Sequence, residues 1–450
     1  MTSRPFALLA AVAASVTVLA GCPEQAPDEP TWHQDVAPIV VASCGGCHSD
    51  GGPGPFPLDT YAAAAPVADW IASVTAAGTM PPWGLHGSAD SCDQIRPILH
   101  DPSLTRLELD TLANWAASGA AEGDAATAAP LPERESFALP DPSRTLRPDT
   151  AYTVEGDGDD FRCVVLDPEL TETVWITGLE VVPDATEVVH HALMWLDPAG
   201  ASLDKVDDDG GYPCFGDGGI EGGQLLGGWI PGSGAVEYPE GAGLEAPAGS
   251  RIIVQYHYYG NGTPTPDAST LDLRWVTDEP ERKVLMTLRG NARTAEQGLQ
   301  PSEDDPGQPT FLIPAGKEQH VERIRSPIAQ NIPEVALFMV APHMHLVGVD
   351  MSVRIERASI AHGPAEECLI HATEYDFDWQ RLYTYDVPLL ELPRVKGGDT
   401  FVLDCTYDNT LENDKVRSAL LDAGLDAPQD VGLGESSLDE MCLAVLGVVY

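Results

Sequence analysis

Positive charge is what this chain has least of. Its 450 residues carry 24 lysines and arginines against 70 aspartates and glutamates, a formal charge of -46. So acidic a surface repels phosphate backbones, which excludes nucleic acid as a partner. It leaves a cationic partner, a saline habitat or plain solubility open. Long apolar runs are also scarce: the one at Phe6–Leu19, after Arg4, is too short for a lasting membrane span and suits a signal peptide. The signatures of several enzyme classes are missing too. The Gly-rich stretch Gly216–Trp229 lacks the lysine and the strand-to-helix context of a phosphate loop, no serine triad stands out, and the many carboxylates form no pair separable from a solvated acidic face.

What is present begins with Leu19-Ala20-Gly21-Cys22, which closes the apolar run and resembles the lipobox of bacterial lipoproteins, whose cysteine is lipidated and becomes the new N-terminus. The alternative is an ordinary cleavage site beside a chance cysteine. Residues 1–21 then read as a lipoprotein signal peptide and 22–30 as a tether. Pro23 is unlike an inner-membrane retention signal, so the expectation is an exported protein whose one contact with the membrane is a lipid anchor, most simply in the outer membrane. Disulfides persist there. Nine cysteines are present, and eight follow Cys22: Cys44, Cys47, Cys92, Cys163, Cys214, Cys368, Cys405 and Cys442.

The length accommodates about three domains, and 43% hydrophobic residues is globular composition. Residues 31–120 carry helical patterns; in "LTRLELDTLANWAASG", Leu104, Leu107, Leu112 and Trp115 approximate one face and Gly119 stops the run. Residues 121–149 are rich in Ala and Pro without periodicity and read as a linker. From about 150 the texture turns to short β-branched and aromatic runs between Gly, Pro, Asn and Asp, the spacing of an all-β sandwich or barrel. The region is too long for one sandwich. The acidic stretch near 290–309 is a joint between two, giving units at 150–290 and 291–450.

Cys44-Gly-Gly-Cys47-His48 is the C-x-x-C-H pattern of c-type haem attachment: two thiols add to two vinyl groups and the next imidazole becomes the proximal iron ligand. A zinc ribbon would need a second Cys pair, and a redox C-x-x-C would not need His48. Met80, in "GTMPPW", lies at an interval typical of the second axial ligand of small cytochromes c, and a thioether there raises the haem potential. His33, His86 and His100 are rivals, and simple packing is the bland use of such a Met. The reading is a small α-helical cytochrome c domain holding one haem c.

Five of the twelve histidines fall in three strand-like stretches, "VVHHALMW", "IIVQYHYYG" and "APHMHLVG". His343 and His345, two apart, project from one strand face and can chelate one ion. His190 and His191 are adjacent, so a regular strand aims them apart; sharing an ion requires a twist or bulge. Each motif alone is weak, since strand histidines are often packed or solvated.

Together they resemble the copper-dependent monooxygenases of the peptidylglycine α-hydroxylating and dopamine β-hydroxylating type, over about Phe161 to Tyr450. In that family an adjacent His pair and a His in a Q-x-H-Y strand bind one copper; here these are His190, His191 and His257, the last within Gln255-Tyr256-His257-Tyr258. An H-x-H pair and a distant Met in D-E-M-C bind the other, matching His343, His345 and Met441 in Asp439-Glu440-Met441-Cys442. The resemblance implies two all-β, jelly-roll-like sandwich domains, two copper ions, and disulfides Cys163–Cys214 and Cys405–Cys442. Cys92 and Cys368 are then left as free thiols or as a bridge between haem and copper portions. Three imidazoles suit copper and would equally take zinc, whereas two imidazoles and a thioether favour Cu(I).

The activity this resemblance implies is that of an oxidoreductase, inserting one atom of O2 into an activated C–H bond of a small organic substrate and reducing the other to water. It makes His343, His345 and Met441 the O2 and catalytic site and His190, His191 and His257 the electron-transfer site, with Gln255 near the route. The fused haem would relay electrons from ascorbate or a periplasmic redox protein. Two departures matter: where peptidylglycine enzymes hold a substrate carboxylate, before the H-x-H pair and after the Met, this chain has Ala341, and then Leu443 and Val445. A peptide C-terminus is therefore not the expected substrate. The competing reading is a non-enzymatic copper and haem lipoprotein for electron transfer or copper binding, and the blandest is a binding module with structural histidines.

Overall fold

The computed structural model describes residues 25–49, 54–82, 92, 96–132, 137–214, 218–291, 294, 297–302, 307, 309–434 and 438–450. Cys22, the signal segment and His86 lie outside these residues. Among the described residues no helix is long and apolar enough to cross a membrane.

The N-terminal unit is helical, and its helices are short. A continuous helical segment runs from Trp32 to Cys44, followed by Ala68–Ala76 and Arg106–Ala117. The last begins with a capping box, in which Thr105 and Glu108 satisfy each other's backbone N–H groups. It ends where Gly119 takes φ +92°, a left-handed turn that costs a glycine little. Leu112 and Trp115 are fully buried, as their face predicts, and pack with Trp32, Val36 and Ile71 into a core separate from the rest; Leu107 is only half-buried.

The remainder is almost wholly β. A five-stranded antiparallel sheet has the order Gly211–Pro213, Asp157–Leu166, Arg251–Asn261, Val189–Asp197, Gln224–Trp229. A four-stranded sheet is ordered His320–Pro327, Thr400–Tyr407, Gly348–Glu356, Glu366–Ala372. A ten-stranded sheet runs through both halves of the β region, and one buried apolar cluster fills them. The halves join where Arg282 and Lys283 pair in parallel with Ala242 and Gly243. These are sandwich-type layers, apolar inside because strand alternation turns Leu179, Val181, Leu271 and Leu273 inward.

The first β unit begins before its expected border, and the last strand inside its expected span pairs with the second unit. Arg144–Leu146, in the stretch read as linker, pairs with Thr270–Val276, and Ala235 N–H donates to the Phe137 carbonyl at 2.7 Å. Leu139 and Leu146 are buried and hold that stretch down, whereas Leu131 is exposed. Arg282–Gly290, ahead of the expected joint, pairs along its length with Leu443–Val449 near the chain's end.

Three disulfides form: Cys163–Cys214, Cys405–Cys442 and Cys92–Cys368, and Cys44 and Cys47 stay free. Such bonding belongs to an oxidising compartment. The third bridge ties the N-terminal unit to the second β unit across 276 residues of sequence. Around it Arg96 pairs with Glu367, Leu99 N–H donates to Thr384 O at 2.8 Å, and Arg381 donates to the carbonyls of Leu99 and His100. The helical unit is clamped to the sandwich.

Candidate metal and haem sites

The adjacent histidines sit at a break in register. Along the pairing of Arg251–Asn261 with Val189–Asp197, His257 faces His191 but Tyr258 faces Val189, so His190 is the extra residue of a bulge. A bulge bends its strand and re-aims a side chain. Its consequence is convergence: the His190 and His191 Nδ1 atoms lie 3.1 Å apart, and His257 Nδ1 lies 3.3 Å from His191 Nδ1. Metal–nitrogen bonds of ~2.0 Å in tetrahedral array separate donor atoms by roughly 3.3 Å. Among the described residues this is the one group of three or more His, Cys, Asp or Glu side chains whose ligand atoms lie within 4.8 Å of one another.

The surroundings fix which nitrogen faces inward. A carboxylate only accepts, so at 2.7 Å from Asp159 Oδ1 the His257 Nε2 carries the proton and Nδ1 is left for a cation. Phe161, opposite His257 in the register, stacks on its ring at 4.2 Å. Burial, reinforced by His257, depresses the pKa of His190; burial, then His257, His190 and His343, depress that of His191 well below the ordinary value. Protons therefore compete for these nitrogens only below neutral pH. Asp159→Asn is expected to weaken copper binding here by ~10–100-fold, the usual cost of losing an outer partner, measured by competitive chelator titration.

The second set is built differently. His343 ends the strand Val335–His343, and its ring centroid stands 5.1 Å from that of His345. His343 Nδ1 donates to Gln380 Oε1 at 2.5 Å, which leaves its Nε2 available, and His345 Nδ1 donates to the Asp439 carbonyl at 3.1 Å. Burial and then His345 push the His343 pKa down to about 4. The fully buried Glu440 joins the pieces: one oxygen accepts the backbone N–H of both His345 and Met441, at 2.8 Å each, and the other accepts Val347 N–H. Tyr407 holds the Met441 carbonyl, and Cys442 is bonded to Cys405 next door. The backbones of His345 and Met441, 96 positions apart in the sequence, are thus held side by side.

Ala341 pairs with Val445 and His343 with Leu443, and partners directly opposite share a sheet face. The three apolar departures therefore lie on the face that bears His343. Gln255, buried on the strand of His257, turns its amide toward Cys214 Sγ at 3.7 Å.

The turn Phe377–Trp379 touches the second set and lines the same cavity as His190 and His257 of the first. Phe377 packs on the His345 ring at 5.6 Å, Asp378 acts on the charge of His190, and Gln380 comes next in the chain. The influence of His343 on the His191 pKa spans the same gap. Asp159, Phe161, Phe377, Gln380 and the bracing by Glu440 carry no signal in the sequence, because nothing local distinguishes them from a solvated acidic run or a loop.

One cavity of about 1360 Å³ opens between the helical unit and these strands. Its walls include Cys44, Cys47, His48 and Met80 on one side and His190 and His257 on the other. Ligand pockets ordinarily reach ~1,000 Å³, so a haem-sized group has room. The donors suit it. His48 Nδ1 donates to the Phe56 carbonyl at 2.9 Å, which presents Nε2 as a ligand. Gly54 passes so close above that a Cβ there would come within 3.0 Å of His48 Nδ1 and 2.8 Å of the Cys47 carbonyl. Burial, then Cys47 alongside, push the Cys44 thiol up to about 12, so it stays protonated. Of the rivals to Met80, His100 also lines the cavity, while His33 lies 3.8 Å from Glu122.

No protein-family model matches the chain, and no curated protein matches it. Among solved structures, PNGase F, a glycosylasparaginase from Flavobacterium meningosepticum, aligns over 68% of this chain and 100% of its own at 9% identity, with a TM-score of 0.26. The infectious bursal disease virus VP2 subviral particle aligns over 71% and 74% at 8% identity, with a TM-score of 0.18. Scores this low establish neither fold nor function.

Proposed function

We propose that this chain is an exported, lipid-anchored copper monooxygenase fused to a c-type cytochrome unit, similar to the peptidylglycine α-hydroxylating and dopamine β-hydroxylating enzymes. The observation that carries this reading is the pair of unlike donor sets: three converging imidazoles at a bulge, and two imidazoles with the backbone of a methionine bound beside the second of them by Glu440. Electron carriage or copper storage alone gives no reason for two different builds.

The reaction is R–H plus O2, two electrons and two protons giving R–OH and water. Bound to these sets, copper would supply O2 activation and one-electron storage, and haem held by Cys44, Cys47, His48 and Met80 would supply electrons. The protein's own work is orientation. Asp159 sets the tautomer of His257, Gln380 and the Asp439 carbonyl set those of His343 and His345, and Glu440 fixes the spacing of His345 and Met441. Ala341, Leu443 and Val445 offer an uncharged wall with no counter-ion for a carboxylate, so the substrate is a less polar molecule than a peptide C-terminus. Gln255 lies along the route between sites in this scheme.

The test is copper per haem in the mature protein, followed by O2 uptake in a panel of apolar substrates. Two coppers per haem, with uptake matched by a hydroxylated product, is the expected result. Two coppers and no product from any substrate would favour the non-enzymatic carrier, and sub-stoichiometric copper would reduce the β units to a binding module.

A further inference from the structure

We propose that Trp70 marks the docking site of a cationic electron-donor protein on the helical unit, an inference that rests on the haem reading. Three rings run in series from the axial histidine to the surface. The His48 centroid lies 5.0 Å from that of Phe56, and Phe56 lies 5.5 Å from Trp70. Phe56 also supplies the carbonyl that orients His48. Trp70 is 51% exposed, yet its inner side lines the haem-sized cavity.

Packing does not account for this placement. On the helix Ala68–Ala76 the core is filled by Ala68 and Ile71, at 5% and 4% exposure, while Trp70 stands with the exposed Asp69 and Ser73. Haem would cover the side of the indole that faces the cavity; its outer side, left in water, is a cost to the isolated protein, and Trp is among the residues that most often anchor protein interfaces. The ring series gives that anchor a purpose. A donor seated on Trp70 brings its redox centre against the edge of an aromatic path ending on the iron ligand.

Charge identifies the donor. Residues 25–132 hold thirteen aspartates and glutamates against two arginines, Arg96 and Arg106, and no lysine. Both arginines are already committed, to Glu367 and Asp110. Lys415, a cation on the same cavity wall, is paired with Asp376 and Asp378, so an approaching protein meets a predominantly negative field, which speeds a basic partner and slows an acidic one. Electron balance is simple: the reduced donor loses one electron, the haem iron gains it, and no bond or proton moves.

The experiment uses the mature holoprotein with two reduced blue-copper proteins, one cationic and one anionic, whose colour reports their own oxidation. Haem reduction is followed by stopped flow. The cationic donor is expected to react faster, its rate falling at least ~tenfold between about 20 and about 500 mM salt as the field is screened. Trp70→Ala and the milder Trp70→Phe are expected to lower that rate, taken per haem, and to weaken binding of the oxidised cationic donor, while reduction by the small reductant dithionite, which needs no docking site, falls less; Asp69→Lys, off the cavity wall, is expected to slow the same donor with haem content unchanged. Equal rates for parent and Trp70→Ala with haem in place would overturn the docking site alone. A parent protein without haem would overturn the haem reading and this inference with it.

Discussion

Haem that survives denaturation and acid-acetone extraction is expected to disappear altogether from a Cys44→Ala/Cys47→Ala variant. The two thiols are free, half-buried and on the wall of the large cavity, and the remaining six cysteines of the described residues are spent in disulfides. No other described thiol is therefore available for thioether attachment. His48→Ala is expected to behave differently, keeping the covalent link while changing the axial field and hence the spectrum and potential. The measurement is pyridine-haemochrome absorbance on denatured protein. Covalent haem retained in the double variant would place the attachment elsewhere, and its absence from the parent would leave a helical unit without a cofactor.

That expectation is legible in one short stretch of sequence, and the β region behaves otherwise. C-x-x-C-H is a local motif, since all its donors lie within one turn of chain. The H-x-H pair is local as a spacing, but the strand ends at His343, so the Glu440 bond to the His345 backbone, and not strand alternation, holds the second imidazole. His190 and His191 pose a local question that only long-range pairing answers: the bulge exists because Tyr258 pairs with Val189 instead of His190. Asp159 and Phe161 reach the site through the register of a strand, 98 and 96 residues before His257, and Gln380 through a turn 37 residues after His343. No periodicity reports such meetings.

The linker and joint differ at their edges from the expected borders for a related reason. Ala- and Pro-rich sequence suppresses the apolar alternation by which a strand is recognised. One or two leucines, here Leu139 and Leu146, suffice to dock such a stretch once a sheet edge is offered. The Cys92–Cys368 bond is the extreme case, since spacing carries no information about pairing across 276 residues. Its consequence for the haem reading is large. A unit clamped at Cys92 and Arg96, with Cys47 packed against the main core, faces the first histidine cluster across a cavity of fixed walls instead of swinging on a linker.

His191→Ala and Met441→Ala are expected to separate the two proposed copper sites. Each should lower copper from two to one per chain, and each should lose a different copper. His191 stands at the centre of its cluster, in Nδ1 contact with both His190 and His257, so its loss removes more than the ~10–100-fold in affinity expected for an outer partner. Met441→Ala removes the soft donor, so its deficit should be greater for Cu(I) than for Cu(II). Because a thioether change could unsettle the fold, Cys405–Cys442 and the Glu440 bonds to His345 and Val347 serve as the control: they do not involve the Met441 side chain, and thermal unfolding should move little. Copper counting, Cu(I) titration and the EPR signal of the remaining Cu(II) read the outcome. If both variants lost the same copper, the chain would hold one shared site at the Phe377–Gln380 turn, and a monooxygenase with separate storage and O2 centres would no longer fit it.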